Sequence, residues 1–330
     1  MTDICDIFIL LFLHFISNVM PIHFPSISRR RFLGTTLAAG AGMVFGTGLS
    51  ASVFTAETDR SSDCWALISD THIPGDRDRE LNNVCPVKNL IGIRKDILAC
   101  PKKPAGAILS GDCTFLEGLA EDYPTLLEEF QPLRDNGMSV HFVLGNHDHR
   151  GHFLNALAVH EKQAERPRIP DNHCSVLETP KVNWFLLDAL QRTNDTPGLL
   201  GKSQLNWLAR ELDRRPEKPA LLVAHHNLRF GLPPEQQWDG HLKDSDDLWE
   251  VLLPRKQVKG FVYGHSHQWK CETKDGVHLI NIPATAWKFQ AEEPTAWVLA
   301  ELKTDGIALT PRCLDPAHPA HDKPMNLTWR

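Results

Sequence analysis

The sequence predicts an α/β fold that carries its chemistry at the ends of its strands. Short apolar runs stop abruptly at carboxylates, amides and histidines, as in Trp65–Ile68 before Ser69-Asp70-Thr71-His72 and Val140–Leu144 before Gly145-Asn146-His147-Asp148. A core accepts such side chains only with a partner, so these junctions read as buried strands delivering polar groups to a common edge. Stretches of helical period separate the runs, and Lys274-Asp275-Gly276 and Lys303-Thr304-Asp305-Gly306 mark hairpin turns further on.

After the first strand, Pro86 suits the opening turn of a helix to about Ala99, with Leu90, Ile93 and Ile97 on one face. Ala105–Leu109 is the next strand and ends in Ser110-Gly111-Asp112; a helix from about Tyr123 to Asp135 leads to the strand at Val140. Leu154–Gln163 reads as a helix, and Cys174–Leu177 and Trp184–Leu187 as strands, the second ending at Asp188. Ser203 is placed to cap a helix carrying Leu205, Leu208 and Leu212. Leu221–Ala224 precedes His225-His226, and Phe261–Tyr263 precedes Gly264-His265-Ser266-His267. Between them, Arg229–Lys243 is long enough to overhang a site as a lid or to run as a solvated excursion. The strands after His267 are expected to complete a second sheet, and the chain beyond Pro316 to be a His/Pro-rich surface tail.

A net charge of -6 excludes a broad basic surface for nucleic acid or anionic lipid, so an anionic substrate must be attracted locally. Seventeen histidines are many for 330 residues, and those that follow apolar runs point to metal. The cysteines from Cys64 onward show no Cys-x-x-Cys spacing and read as small buried hydrophobes, with one disulfide left open.

Ser28-Arg29-Arg30-Arg31-Phe32-Leu33-Gly34 opens a run without charge to Ala56, weakly apolar because of its glycines, and resembles a twin-arginine export signal. Ser50, Ala51 and Ser52 offer a cleavage region; the alternative is a signal anchor that stays in the membrane. Ile7–Ile16 is a second apolar run ahead of the arginines, where such signals are polar, so residues 1–19 read as a misassigned start with Met20 as the true one, or else as a membrane-embedded extension. Export through the twin-arginine translocase implies a periplasmic or secreted protein that folds and loads metal first and keeps no stable membrane association after cleavage.

In chain order the polar blocks are Asp70-x-His72, Gly111-Asp112, Gly145-Asn146-His147-Asp148, His225-His226 and Gly264-His265-x-His267, with gaps of 42, 34, 79 and 40 residues between lead positions. This series resembles the calcineurin-like metallophosphoesterases over nearly all of residues 64–290, including the accessory Leu187-Asp188 and the Gly201-x-x-Gln204-Leu205-x-Trp207-Leu208 helix start. The resemblance implies a four-layer α/β/β/α sandwich of two mixed sheets, with a dinuclear metal centre at the strand C-terminal ends and the cations about 3.5 Å apart. Residues 1–56 are then the export region, 57–315 the metallophosphoesterase domain and 316–330 the tail.

On that pattern Asp70, His72 and His267 hold one metal, Asp112 bridges, and Asn146, His225 and His265 complete the second site. Oxygen and imidazole without thiolate suit iron, manganese or zinc, divalent or mixed-valence. Two such cations, two carboxylates and a bridging hydroxide leave about one net positive charge to receive a small phosphate ester, and the hydroxide can attack phosphorus. His147 is assigned to protonate the leaving alkoxide, with Asp148 orienting its ring. His225 is preferred to His226 because the family's ligand is the first histidine after the strand. Asn227 stands where the family often has proline, and Asp188 reads as scaffold. Purple acid phosphatases, a related branch, have a tyrosine where this chain has Phe115, so a phosphodiester of cyclic-nucleotide or glycerophosphodiester type is favoured. The alternatives are a phosphomonoesterase on the same site and a noncatalytic phosphate- or metal-binding protein.

Overall fold

A computed structural model describes residues 61–160, 172–231 and 240–330. The chain divides into two units, Met1–Thr55 and Ala56–Arg330, and everything described here belongs to the second. The export region and the middle of the expected lid, residues 232–239, lie outside the described residues.

Strand β1 (Ser61–Ile68) is followed by helix α1 (Pro86–Ala99), β2 (Pro104–Ser110), α2 (Asp122–Asp135), β3 (Ser139–Val143) and α3 (Arg150–His160). After β4 (Ser175–Glu178) and β5 (Asn183–Leu186) come α4 (Gly201–Asp213), β6 (Ala220–Val223), α5 (Ser245–Leu252) and β7 (Val258–Tyr263). Strands β8 (Lys270–Lys274), β9 (Val277–Asn281), β10 (Ala296–Leu302), β11 (Gly306–Cys313) and β12 (Met325–Thr328) close the chain. They form two six-stranded sheets, ordered β12-β11-β10-β1-β2-β3 and β4-β5-β6-β7-β9-β8. Both are mixed: β1, β2 and β3 are parallel while β10 runs antiparallel to β1, and β5, β6, β7 and β9 are parallel with antiparallel β4 and β8 at the edges.

Alternation along each strand builds the layers. In β1, Ala66 and Ile68 pack with Ile93 of α1, Leu126 of α2 and Phe153 of α3, while Trp65 and Leu67 face the other sheet and join Trp184, Val223 and Val262. On its far side the second sheet packs Phe185, Leu222 and Phe261 against Leu208 of α4 and Leu248 of α5. The sequence therefore forms the α/β/β/α sandwich, with one core between the sheets and one under each helical layer.

Several local expectations are corrected. Strands β10 and β11 join the first sheet, leaving only β8 and β9 of the late strands in the second. Both sheets are apolar, so only the partner decides: Val298 pairs with Leu67, and β10 shares its faces with β1. The segment beyond Pro316 contains β12, paired with β11 from Leu309↔Met325 to Gly306↔Thr328, with Leu327 packed toward the inter-sheet core. Ser203 is not the cap of α4: the buried Asp244 carboxylate, far off in sequence, accepts the Leu200 and Gly201 amides at 3.1 and 2.8 Å. Helix α3 begins four residues earlier than the period indicated, at Arg150, and α5 lies in a stretch where no helix was expected. None of the seven cysteines among the described residues forms a disulfide, and all but Cys271 are buried. No helix among the described residues is long and apolar enough to cross a membrane.

Candidate metal centre

The C-terminal ends of β1, β2, β3, β6 and β7 meet along one rim. Backbone bonds tie the loops together: the Asp70 and His72 amides donate to Gly111 and Asp112 carbonyls, Gly264 to His225, and Thr285 and Ala286 to Ser69 and Asp70. The chain gains its tight convergence from left-handed backbone at Asp70, His72, Asp112, His265 and His267, all non-glycine residues with φ between 45° and 65°. Such conformations cost of order 1 kcal/mol or more each and persist where the surroundings overdetermine them. Two glycines are required by close approach. A Cβ on Gly145 would stand 2.2 Å from Asp112 Oδ1, and one on Gly264 2.4 Å from Asp70 Oδ2.

Two groups of side chains result whose ligand-type atoms lie within 4.8 Å of one another: Asp70, His72 and His267, and Asp112, His225 and His265. Asp112 Oδ2 lies between them, 3.2 Å from His225 Nε2 and 3.8 Å from His72 Nε2. Its Oδ1 accepts the His147 amide at 2.9 Å, which fixes the carboxylate plane. Imidazole nitrogens face each other at 3.4 Å (His72 and His267 Nε2) and 3.2 Å (His265 Nδ1 and His225 Nε2). Two of these rings are held from behind through their other nitrogen: His225 Nδ1 with Ser110 O at 2.9 Å and His267 Nδ1 with Trp287 O at 2.6 Å. A backbone carbonyl behind the ring fixes the tautomer and turns the Nε2 lone pair inward, as metal-ligating histidines require. Asn146 is buried, and its Oδ1 has no hydrogen-bond partner.

Protonation states follow the geometry. Burial pushes the Asp70 carboxyl up, but the charge and hydrogen bond of His267 outweigh it and leave the group at about 2. Asp112 is likewise held well below the usual range, burial being overcome by His225. Burial brings His72 down to about 3 and, with the neighbouring His225, His265 to about 4. His225 rises to about 9 because Asp112 outweighs its burial, so a proton sits between two atoms that a cation of higher charge would claim. Carboxylates ionised and imidazoles neutral is the form in which these groups bind metal.

The remaining predicted residues separate into those at the rim and those in the scaffold. His147 is partly exposed, with its ring 5.4 Å from His72 and its Nδ1 at 2.7 Å from Leu116 O. Asp148 does not orient that ring. It is fully buried, and its oxygens accept the Cys113, Thr114 and Gly145 amides and the Thr114 hydroxyl, so it locks the β2 and β3 loops together. Burial, with Asp112 nearby, pushes its carboxyl up to about 6. His226 turns from the centre to Thr196 O at 3.0 Å and fills the space over Gly198. Asp188 is scaffold, as expected: Arg150 grips it at 2.6 and 3.0 Å, and Gln204 bonds both the Asp188 amide and its carbonyl. The ends of the Arg229–Lys243 excursion are fastened at Gly198, Asn227 and Ser245, and its Gly240 backbone takes a hydrogen bond from His265.

Sequence reasoning passed over Trp287 and Phe289, which stack on His72 and His267 at 4.2 and 4.1 Å. The signal was present: β9 is parallel to β7, so the loop after it opens on the same edge. It was overlooked because that loop carries no ligand-type residue.

The comparisons agree with this geometry. The family model described as "Calcineurin-like phosphoesterase" matches residues 66–269. The chain is 28% identical over 254 residues to "3',5'-cyclic adenosine monophosphate phosphodiesterase CpdA" of Haemophilus influenzae, covering 74% of this chain and 86% of that one. It is 24% identical over 246 residues to "3',5'-cyclic-nucleotide phosphodiesterase alr5338" of Nostoc, covering 72% and 84%. A "Probable cyclic nucleotide phosphodiesterase" of Psychrobacter arcticus matches at 27% over 170 residues, which is 50% of this chain and 58% of that protein, so the chain spans little more than half of its length. Among solved structures, a dimetal phosphatase from Danio rerio shares the fold with a TM-score of 0.62 at 16% identity, over 81% of this chain and 99% of that one. A family match that spans all five polar blocks, on a fold that gathers them into two ligand groups, makes the conclusion plain: the chain belongs to the calcineurin-like phosphoesterases, a family of metallophosphoesterase enzymes.

Proposed function

We propose that this protein is a dinuclear metal-dependent hydrolase of phosphate esters, with phosphodiesters of cyclic-nucleotide or glycerophosphodiester type preferred. The observation that carries the reading is the position of Asp112 Oδ2 between two ligand groups, with His147 at their rim. The residues fit a metal pair: imidazole nitrogens face each other in two couples beside two ionised carboxylates, and the buried Asn146 Oδ1 has no hydrogen-bond partner, a set of donors that a cation would bring together. Asp70, His72 and His267 would hold one cation and Asn146, His225 and His265 the other, with Asp112 shared; the donor set suits iron, manganese or zinc. Such cations supply charge to the non-bridging phosphate oxygens and a nucleophilic hydroxide at a pH of about 7.

The chain does the rest. With Nδ1 donating to Leu116 O, the His147 ring is fixed, leaving Nε2 to give a proton to the departing alkoxide. Asp148 acts at a distance by clamping the loops that carry Asp112 and Asn146. The names of the Haemophilus and Nostoc relatives support the diester preference.

Protein reconstituted with iron, manganese or zinc is expected to hydrolyse bis(p-nitrophenyl) phosphate faster than the corresponding monoester. Turnover of neither ester with any of the three metals would overturn the assignment, and stoichiometric phosphate binding without turnover would put a noncatalytic binding protein in its place.

The proposal extends to location: the arginines at 29–31 and the uncharged run after them support passage through the twin-arginine translocase to the periplasm or beyond. Substituting lysine for Arg29, Arg30 and Arg31 together is expected to retain the protein in the cytoplasmic fraction. Unchanged export of that variant would overturn the pathway.

A further inference from the structure

Among the described residues five large apolar side chains are more than a third exposed: Leu116, Leu119, Val159, Leu253 and Phe289. Two of the five, Leu116 and Phe289, touch residues of the metal centre and its rim from two separate loops. Leu116 belongs to the turn after β2 that also supplies the carbonyl to His147, and Leu119 follows it. That turn is not slack, because Phe115, Gly118 and Leu119 each donate a backbone hydrogen bond to it or to its anchors, and Leu116 is held at a φ of 35°. Its apolar side chains are therefore presented to water by a fixed backbone.

Phe289 forms the other lip. Its ring lies on that of His267 at 4.1 Å and 15°, yet the residue is 66% exposed, so one face is supported and the other meets solvent. Trp287 backs the same wall, almost fully buried and stacked on His72. His72 in turn is 5.4 Å from both His147 and His267, so the two apolar lips flank the reacting groups. Solitary exposed apolar residues need no explanation; a rigidly supported group of them beside a site that attracts anions does.

We propose that Phe289 is the residue that selects the ester's organic group, by stacking its free face on the planar base of a nucleotide while Leu116 packs on the other side. The proposal rests on the phosphoesterase reading above and narrows its substrate class to nucleotides. A planar ring gains most from one flat, preformed, half-solvated partner, and base stacking on an aromatic side chain is worth about tenfold in affinity. A glycerol group has no face to offer.

The test compares equilibrium binding of adenosine 5'-monophosphate, glycerol 3-phosphate and inorganic phosphate to the metal-loaded full chain by calorimetry. Adenosine 5'-monophosphate is expected to bind about tenfold more tightly than glycerol 3-phosphate. Phe289→Ala is expected to erase that ratio and Phe289→Trp to keep it. Equal affinity of the two esters in the wild type would overturn the proposal, as would a ratio that survives Phe289→Ala. Loss of all three ligands together in Phe289→Ala would also overturn it, showing the ring to be a brace for His267. Since no turnover is measured, failure here is distinct from failure to hydrolyse bis(p-nitrophenyl) phosphate.

Discussion

Asp112→Asn is expected to lower hydrolysis by more than about 10³-fold and to leave the purified protein short of metal. Loss of one stabilising donor at an active site typically costs about 10²–10³-fold, and on the proposed assignment Asp112, which lies near His225 and His72, is shared by both ligand groups. The substitution nearly preserves shape, so the amide oxygen can still accept the His147 backbone N–H that Oδ1 accepts now. What disappears is charge. The carboxylate is 2% exposed and is kept ionised by its neighbours, above all His225. Without it, the second group consists of neutral imidazoles and an amide, which hold a divalent cation weakly. Metal content per chain together with kcat checks the prediction, and two equivalents of bound metal with near-normal turnover would refute the shared-carboxylate reading.

His147→Gln separates proton transfer from binding. A positioned general acid contributes about 10²–10⁴-fold, so kcat for an alkyl phosphodiester is expected to fall by that factor while metal content stays unchanged. An ester with an activated aryl leaving group needs little protonation, and its kcat is expected to fall far less. The backbone N–H of residue 147 remains to hold Asp112, so the variant does not disturb the bridge. Equal loss for both classes of ester would mean that the ring binds substrate and does not donate a proton. The Leu116 carbonyl makes this assignment more specific than the sequence could: the expected partner, Asp148, is wholly taken up by four loop donors.

Where the sequence alone was informative, it was so because strand ends are abrupt. At Ile68, Leu109, Leu144, Ala224 and Tyr263 an apolar run stops and a serine, glycine or histidine begins, which marks both the strand and its edge. The helical faces of α1 and α4 were readable for the same local reason, since Leu90, Ile93, Ile97, Leu205, Leu208 and Leu212 recur at helical spacing and are all buried. Features that depend on distant partners were not readable. The cap of α4 comes from Asp244, β10 chose β1 over the second sheet, and β12 is a four-residue strand after a His/Pro-rich stretch.

The sequence by itself determined the α/β character, the six carboxylates and histidines that the fold gathers into two groups, and the enzyme family, because each depends on residue type, order and short-range spacing. The tertiary structure alone decided that Asp112 Oδ2 stands between two groups, that His225 turns inward while His226 turns to Thr196, and that Asp148 clamps loops. It also put Phe289 on His267. The physical reason is that direction is a property of packing: five of the ligand-type residues sit in left-handed backbone that no local propensity favours, and only the surrounding loops hold them there.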